Sequence, residues 1–158
     1  MPAKIIPIQD WLTTFHSAAD DLARTALRFD PHPAPARDAG PGEPGAYIAI
    51  LSEHNAVHLG ISASPAECHA LARALLGLRH DEPLSDRDAV DGLSEVMNIL
   101  AGKVKASMTG RDGQLHLGLP LYVQDPIKGG NGQEAVSAET KLGPVGCTLR
   151  VYRRKRAA

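Results

Sequence analysis

Aromatic residues make up only 4% of this 158-residue sequence, and cysteine occurs twice. Neither Cys68 nor Cys147 has the spacing of a CxxC motif or a zinc site, so we expect free thiols and a cytoplasmic protein. No apolar run approaches the roughly 20 residues that cross a bilayer, and no secretion signal opens the sequence. These absences exclude a disulfide framework and predict no membrane association.

The charge is balanced, with 17 basic and 18 acidic residues and a formal net charge of -1. A chain with almost no net charge has no overall electrostatic attraction for nucleic acid, so we expect no nucleic-acid partner. Its length is typical of one domain, residues 1–158, and 43% hydrophobic residues suffice for a core. Because aromatic residues are scarce, that core has to consist mainly of Leu, Val, Ile and Ala.

The N-terminal part of the chain predicts a helix followed by an irregular loop. Apolar residues recur at three- and four-residue steps over residues 8–28, as in an amphipathic helix. Residues 29–45 are rich in proline and glycine and form a linker or loop. Two apolar segments then follow, residues 47–51 and 56–61, and the polar residues 52–55 between them predict a β-hairpin.

Two further helices have clear start signals. Ser64 is followed by Pro65 and Glu67, a capping pattern that begins a helix ending near Leu78. Ser85 precedes an acidic first turn, and the helical pattern continues from there to Gly110. This second helix is the longest that the sequence predicts.

The C-terminal third of the sequence is predicted to form strands. Residues 114–123 and 146–152 have strand patterns, residues 134–142 a weaker one, and the glycines of 129–132 predict a turn. The expected fold is therefore α/β of the α+β kind: a mostly antiparallel sheet with two long helices on one face, and an additional N-terminal helix.

The longest helix separates apolar from polar residues. One side is apolar and faces the core: Val90, Leu93, Met97, Leu100, Val104 and Met108. The opposite side has the narrow stripe Asp91, Glu95, Asn98 and Gly102. Composition alone makes this stripe an ordinary solvated face. Gly102 is unusual because a glycine within a helix costs about 1 kcal/mol relative to alanine, so either an outside partner or another helix of the chain approaches there.

The segment DGLSEVMNILAGKVKASM, residues 91–108, resembles the signature helix of the CheC/CheX/FliY chemotaxis phosphatases. The family pattern has Asp or Ser, Glu four residues later, Asn three beyond that, and then glycine with small or basic residues. Lys103 and Lys105 fit this pattern, and Pro120 is similar to a proline that the family has downstream. The resemblance is strongest over residues 88–120 and weaker over residues 47–78.

The resemblance implies a phosphatase that removes the aspartyl phosphate of a CheY-like response regulator. Glu95 would pair with the lysine at the partner's phosphorylation site, and Asn98 would position the attacking water. Asp91 would contribute to partner binding, and Gly102 would leave room for the docked partner. The chain would need no cofactor of its own, since the Mg²⁺ would come with the response regulator.

Other features point to the type of family member. Members of the CheC type have two such helices, but here Glu67 is followed by Ala70 where Asn would be needed, so the chain is similar to the single-site CheX type. The N-terminal helix would be an elaboration outside the resemblance. CheX-type members resemble dimers joined through sheet edges, and residues 146–152 are a candidate edge strand for a possible homodimer.

Two alternative functions stay open, and a metal site is set aside. A non-catalytic module that docks on a response regulator or a flagellar-switch-type scaffold fits the same resemblance, and a dimeric structural protein is a third possibility. A metal site is not expected, because the candidate ligands lie on different predicted elements without a diagnostic spacing: His54, His58, Cys68, His69 and His80.

Overall fold

The computed structural model describes residues 5–31, 42–125 and 131–155. Most of the predicted proline- and glycine-rich loop and part of the predicted turn at 129–132 lie outside these residues. The described residues form three helices and a six-stranded sheet. The helices are α1 (Ile8–Thr25), α2 (Pro65–Leu76) and α3 (Asp86–Met108). The strands are β1 (Gly45–Leu51), β2 (Ala56–Ser62), β3 (His116–Leu117), β4 (Leu121–Val123), β5 (Gln133–Leu142) and β6 (Val145–Arg154).

Both predicted helix starts are formed by their capping serines. The Ser64 hydroxyl accepts a hydrogen bond from the Glu67 amide at 3.2 Å and donates one to the Glu67 carboxylate at 2.9 Å. Ser85 accepts from the Asp88 amide at 3.1 Å and begins α3. Each cap satisfies an amide that the first helical turn leaves without a partner. The α1 helix ends three residues earlier than the periodicity predicts.

Every described strand pair is antiparallel, and the sheet order is β3-β1-β2-β6-β5, with β4 also paired to β1. The predicted fold class is confirmed. The prediction that residues 146–152 form an edge strand is wrong, because β6 lies between β2 and β5. The hairpin of β5 and β6 places β5 outermost, and the chain order alone does not show which of the two pairs with β2.

All three helices pack on the same face of the sheet. The core joins fully buried side chains of α1, such as Trp11 and Phe15, to Met97 of α3 and to inward-facing strand residues such as Ile48 and Leu149. Because strand side chains alternate between faces, these strand residues share one face of the sheet. The α1 helix is therefore part of the single large core rather than an appendage.

The other face of the sheet carries aromatic and polar side chains. Tyr47 lies directly over Gly60, where an added Cβ would come within 2.1 Å of the tyrosine ring. Tyr152 packs beside Tyr47 with ring centroids 6.1 Å apart. Arg150 donates to the Ser62 hydroxyl at 2.8 Å on the same face. Because no helix of the described residues packs on this face, α1, α2 and α3 define one helical side of the sheet.

A buried polar cluster joins three segments that are distant in sequence. Asp112, which is 5% exposed, accepts hydrogen bonds from the Ser52 hydroxyl, from the Asn55 side-chain amide at 2.9 Å and from the Gln114 backbone amide at 3.1 Å. Asn55 in turn accepts from the backbone amide of Ile6 at 3.0 Å. The β1–β2 turn, predicted as the polar connection of a hairpin, also ties the start of α1 to the loop that follows α3.

These donors favour the charged form of Asp112. The hydrogen bond from Ser52, with those from Asn55 and Gln114, lowers the Asp112 pKa from its ordinary value of 3.8 despite the opposing effect of burial. A carboxylate with a lowered folded-state pKa stabilises the protein above its unfolded-state pKa, and this stabilisation is lost as pH falls through the folded-state value.

We therefore predict that Asp112→Asn lowers the free energy of unfolding at pH 7 by about 1–3 kcal/mol, because a charged acceptor of three hydrogen bonds is lost. The difference from the unsubstituted protein should shrink as pH falls below about 4, where the unfolded-state carboxyl also binds a proton. Urea unfolding at several pH values measures both effects.

Asp91→Asn is the matched control, because Asp91 is exposed on α3. It should change the free energy of unfolding by less than about 0.5 kcal/mol. An equal effect of the two substitutions at pH 7 would contradict the role assigned to the buried cluster.

Candidate functional site

The predicted stripe lies on the solvent side of α3. Asp91, Glu95 and Asn98 are exposed and Gly102 is half-buried, so the helix presents two carboxylates, an amide and a gap along about three turns. Five of the six residues predicted to face the core are buried, and Val90 is half-buried. The buried side fixes the rotation of the helix, and the stripe therefore has one defined direction.

The α3 helix is held from one flank by the other two helices. Gly92 packs against Ala72 of α2, where an added Cβ would come within 2.8 Å of the alanine Cβ. Further along the same flank, the Lys103 ammonium lies 2.6 Å from a carboxylate oxygen of Asp21 in α1. This ion pair lowers the pKa of Asp21, and the largest cause is the hydrogen bond from Lys103. Both contacts are made by the flank of α3 next to the stripe, and they leave the stripe itself uncovered.

The polar side chains of the stripe have no partners within the described part of the chain. Neither Glu95 nor Asn98 makes a hydrogen bond or an ion pair there, and Asp91 makes none either. Lys105, two helical turns beyond Asn98, is a further cation without a described partner. The exposed face therefore changes from acidic to neutral to basic along the helix, and its functional groups are available to another molecule.

Gly102 does not serve packing within the chain. A Cβ added at Gly102 would meet no atom within 4 Å, whereas the same addition at Gly92 meets Ala72. Of the two explanations for Gly102, contact with another helix of the chain is therefore wrong within the described residues. The glycine that the α2–α3 packing requires is Gly92, which the sequence did not distinguish.

The thiols and histidines do not assemble into a second site. Burial raises the pKa of both Cys68 and Cys147 to about 12, so neither forms a thiolate near neutral pH. His69 and His80 approach different carboxylates, those of Asp86 at 3.6 Å and Asp30 at 3.2 Å. The described residues contain no group of three or more side chains suited to hold a metal ion.

The described helices include none with the length and apolar character needed to cross a bilayer.

The arrangement suits a macromolecular partner. Small-molecule sites are concave and largely apolar, whereas this stripe is the convex outer face of a helix. Amide and carboxylate groups on such a face can bind and orient groups that a partner presents, but they do not enclose a substrate. The geometry of this face is compatible with contact to another protein.

Comparison with known proteins places this architecture in a defined class. A family model described as Chemotaxis phosphatase CheX matches residues 45–133. A search of curated proteins gave no match. The CheX chemotaxis protein of Desulfovibrio desulfuricans has a similar fold, with a TM-score of 0.68 and 17% identity over 90% of this chain and 97% of that one.

Two other solved structures agree. The CheX protein of Vibrio vulnificus has a TM-score of 0.65 and 13% identity, over 94% of this chain and 99% of that one. The CheX–CheY complex of Borrelia burgdorferi, which contains BeF₃ and Mg²⁺, has a TM-score of 0.65 and 16% identity, over 97% of this chain and 100% of the matched chain.

This chain belongs to the CheX family. The family match covers β1 to the first residue of β5 and includes all of α3. As expected, the N-terminal helix α1 lies outside the residues of the family match, whereas the structural match to the Borrelia protein extends over 97% of this chain. Periodicity predicts this helix but carries no sign of where it packs.

The sequence also missed features beside the stripe. The ion pair of Lys103 with Asp21 joins residues that are 82 positions apart, so no local sequence pattern predicts it. The strand pattern predicted over residues 114–123 does not show the interruption at Leu119, although a glycine and a proline two residues apart are a usable signal for an interrupted edge.

The two helical glycines give a direct test of this geometry. Gly102→Ala should raise the free energy of unfolding by about 0.5–1 kcal/mol, since the new methyl group meets open space and the helix loses a flexible residue. Gly92→Ala is the matched substitution in the same helix and should lower it by about 1–3 kcal/mol, because the α2–α3 contact is overpacked. Urea unfolding measures both, and a destabilised Gly102→Ala protein would contradict the open environment of Gly102.

Proposed function

We propose that this protein is a phosphatase for the aspartyl phosphate of a CheY-like response regulator, and that Glu95 and Asn98 of α3 complete the partner's active site. The observation that supports this most is the position of both side chains, exposed and without partners on one rigid helix, within the segment that the CheX family match covers. Asp91 and Gly102 extend the same surface at either end.

The hydrolysis requires few functional groups from this chain. An acyl phosphate is already activated, and its hydrolysis depends mainly on placing a water in line with the phosphorus and neutralising charge. The Asn98 side chain offers one acceptor and two donors, so it can hold a water while its protonation state stays constant. It acts as the residue that orients the nucleophile rather than as a base.

Glu95 supplies the docking charge. Its carboxylate lies one helical turn from Asn98 and pairs with the lysine of the partner's phosphorylation site, which sets Asn98 against the phosphoryl group. We propose that the Mg²⁺ is supplied by the response regulator, which is consistent with a Borrelia complex that contains CheX, CheY, BeF₃ and Mg²⁺. The open space above Gly102 lets the partner approach the helix backbone.

The chain has one such site within its described residues. In α2 the position that would match Glu95 is Glu67, whose carboxylate accepts a hydrogen bond from the Ser64 hydroxyl in the helix cap. Ala70 stands where the asparagine would be needed. The single-site arrangement of the CheX type therefore fits both helices.

The alternative is a non-catalytic module that docks on a response regulator or a switch-type scaffold. It uses the same exposed face but makes no use of the asparagine amide. The two functions differ in one measurable respect: the catalytic protein accelerates phosphate loss and the adaptor does not.

We predict that Asn98→Ala lowers the rate of phosphate loss in the complex by about 100-fold or more, because the water is no longer held in line. Docking should change by no more than about threefold, since an exposed amide contributes little to affinity. The measurement is the dephosphorylation rate of a panel of phosphorylated receiver domains in Mg²⁺ buffer, together with binding to the same domains loaded with BeF₃.

Asn131→Ala is the matched control, because Asn131 is an exposed asparagine in the turn before β5. It should leave both the rate and the affinity unchanged. Undiminished hydrolysis by Asn98→Ala would overturn the mechanism, and a receiver domain that binds without being dephosphorylated would establish the adaptor instead.

A further inference from the structure

The edge of the sheet beside α3 is interrupted by a β-bulge. Ile50 pairs with Leu117, but Tyr47, three residues earlier, pairs with Leu121, four residues later. The outer strand therefore has one more residue than β1 between these two pairs. Such an insertion marks a bulge, and bulges at sheet edges and beside active sites redirect a side chain or end the strand pairing.

The local sequence explains where the bulge falls. The Gly118 amide still donates to the Ala49 carbonyl at 2.8 Å, and Pro120 has no amide to donate. Leu119 lies between these two residues, where regular pairing is broken. Its main chain is fixed on both sides by paired strand, so the side chain is presented from a firm support rather than from a loose loop.

Leu119 is unusually exposed for a large apolar residue. Its relative exposure is 90%, compared with 59% for Leu121 and 45% for Leu51, two other exposed leucines near this edge. A single exposed leucine is common on protein surfaces and by itself indicates nothing. What distinguishes Leu119 is that a bulge holds it out on the strand segment that packs beside the candidate site.

The contacts of α3 show on which side of the stripe this edge lies. Gly92 and Lys103 face α2 and α1 on one flank. Ala101 lies nine residues from Gly92, about 180° around the helix, yet it is fully buried. The remaining elements that α3 contacts are strands, with β1, β3 and β4 among them. The bulged edge therefore borders the flank opposite α1 and α2, and the stripe lies between the two.

We infer that Leu119 is the apolar anchor of the surface on which the phosphorylated receiver domain docks, continuous with the polar stripe of α3. This inference rests on the proposed function and deepens it by adding a contact for the same partner. The polar groups Glu95 and Asn98 orient the partner but supply little net affinity, since exposed charged and polar contacts are screened by water. A leucine that is desolvated on the same surface supplies the affinity that such a face otherwise lacks.

The test is the affinity of the full-length protein for the receiver domain, loaded with BeF₃ and Mg²⁺, that the unsubstituted protein dephosphorylates fastest. Leu119→Ser should weaken binding by about tenfold, as expected when one large apolar side chain is no longer buried in the complex. It should raise KM by a similar factor and leave kcat unchanged, because the groups at the phosphoryl site are untouched. Leu119→Met, which keeps the apolar surface, should restore most of the affinity.

Leu121→Ser is the matched control. Leu121 is also exposed and lies two residues away, but its pairing with Tyr47 places it on the sheet face opposite the helices. Its substitution should leave affinity within about twofold, as expected for a site outside the interface. Thermal unfolding checks that both variants are folded.

Each other outcome contradicts the inference in a distinct way. Unchanged affinity of Leu119→Ser for a receiver domain that still binds overturns the role of Leu119 and leaves the proposed function intact. Equal losses in Leu119→Ser and Leu121→Ser place the docking surface elsewhere on the edge. A homodimer that dissociates on Leu119→Ser while receiver affinity persists makes the edge a contact between copies. A panel in which no receiver domain binds overturns the proposed function itself.

Discussion

The burial of one side of α3 against the sheet is the interaction on which the geometry of the site depends. Leu93, Met97 and Leu100 are essentially inaccessible to solvent, and they fix both the position and the rotation of a 23-residue helix. Because side chains at three- and four-residue steps share a face, the same packing that hides these residues turns Glu95 and Asn98 outward. The other contacts of α3, with Ala72 and Asp21, prevent the helix from shifting along or rolling on the sheet. A rigid support of this kind suits residues that must position a water molecule and do not need to titrate.

Local patterns predicted much of the fold because most elements here depend on local physics. The apolar period of α3 and the capping serines at positions 64 and 85 act within a few residues, and the structure has them where the sequence places them. The exposed stripe followed from the same period. The function that we propose for it rests on the resemblance of residues 91–108 to a family, since carboxylates and an amide on a helix are otherwise an ordinary solvated surface.

What the sequence did not predict depends on contacts between distant segments. Nothing local shows that β6 is interior and β5 the edge, that Asn55 is buried against Asp112, or that Gly92 rather than Gly102 serves helix packing. The exact position of the bulge at Leu119 is defined by the pairing of both strands. These features depend on register and burial, which the fold as a whole determines, and they are also the features that shape the surroundings of the stripe.

The central claim is that the exposed face of α3 is the surface that meets a phosphorylated receiver domain. The most direct test is an NMR titration of the isotope-labelled protein with an unlabelled receiver domain loaded with BeF₃ and Mg²⁺. We expect the largest chemical-shift changes on the side-chain amide of Asn98 and the backbone amides around Glu95 and Gly102, with little change around Arg150 on the opposite sheet face. Shifts that cluster around Arg150 and leave α3 unchanged would contradict it.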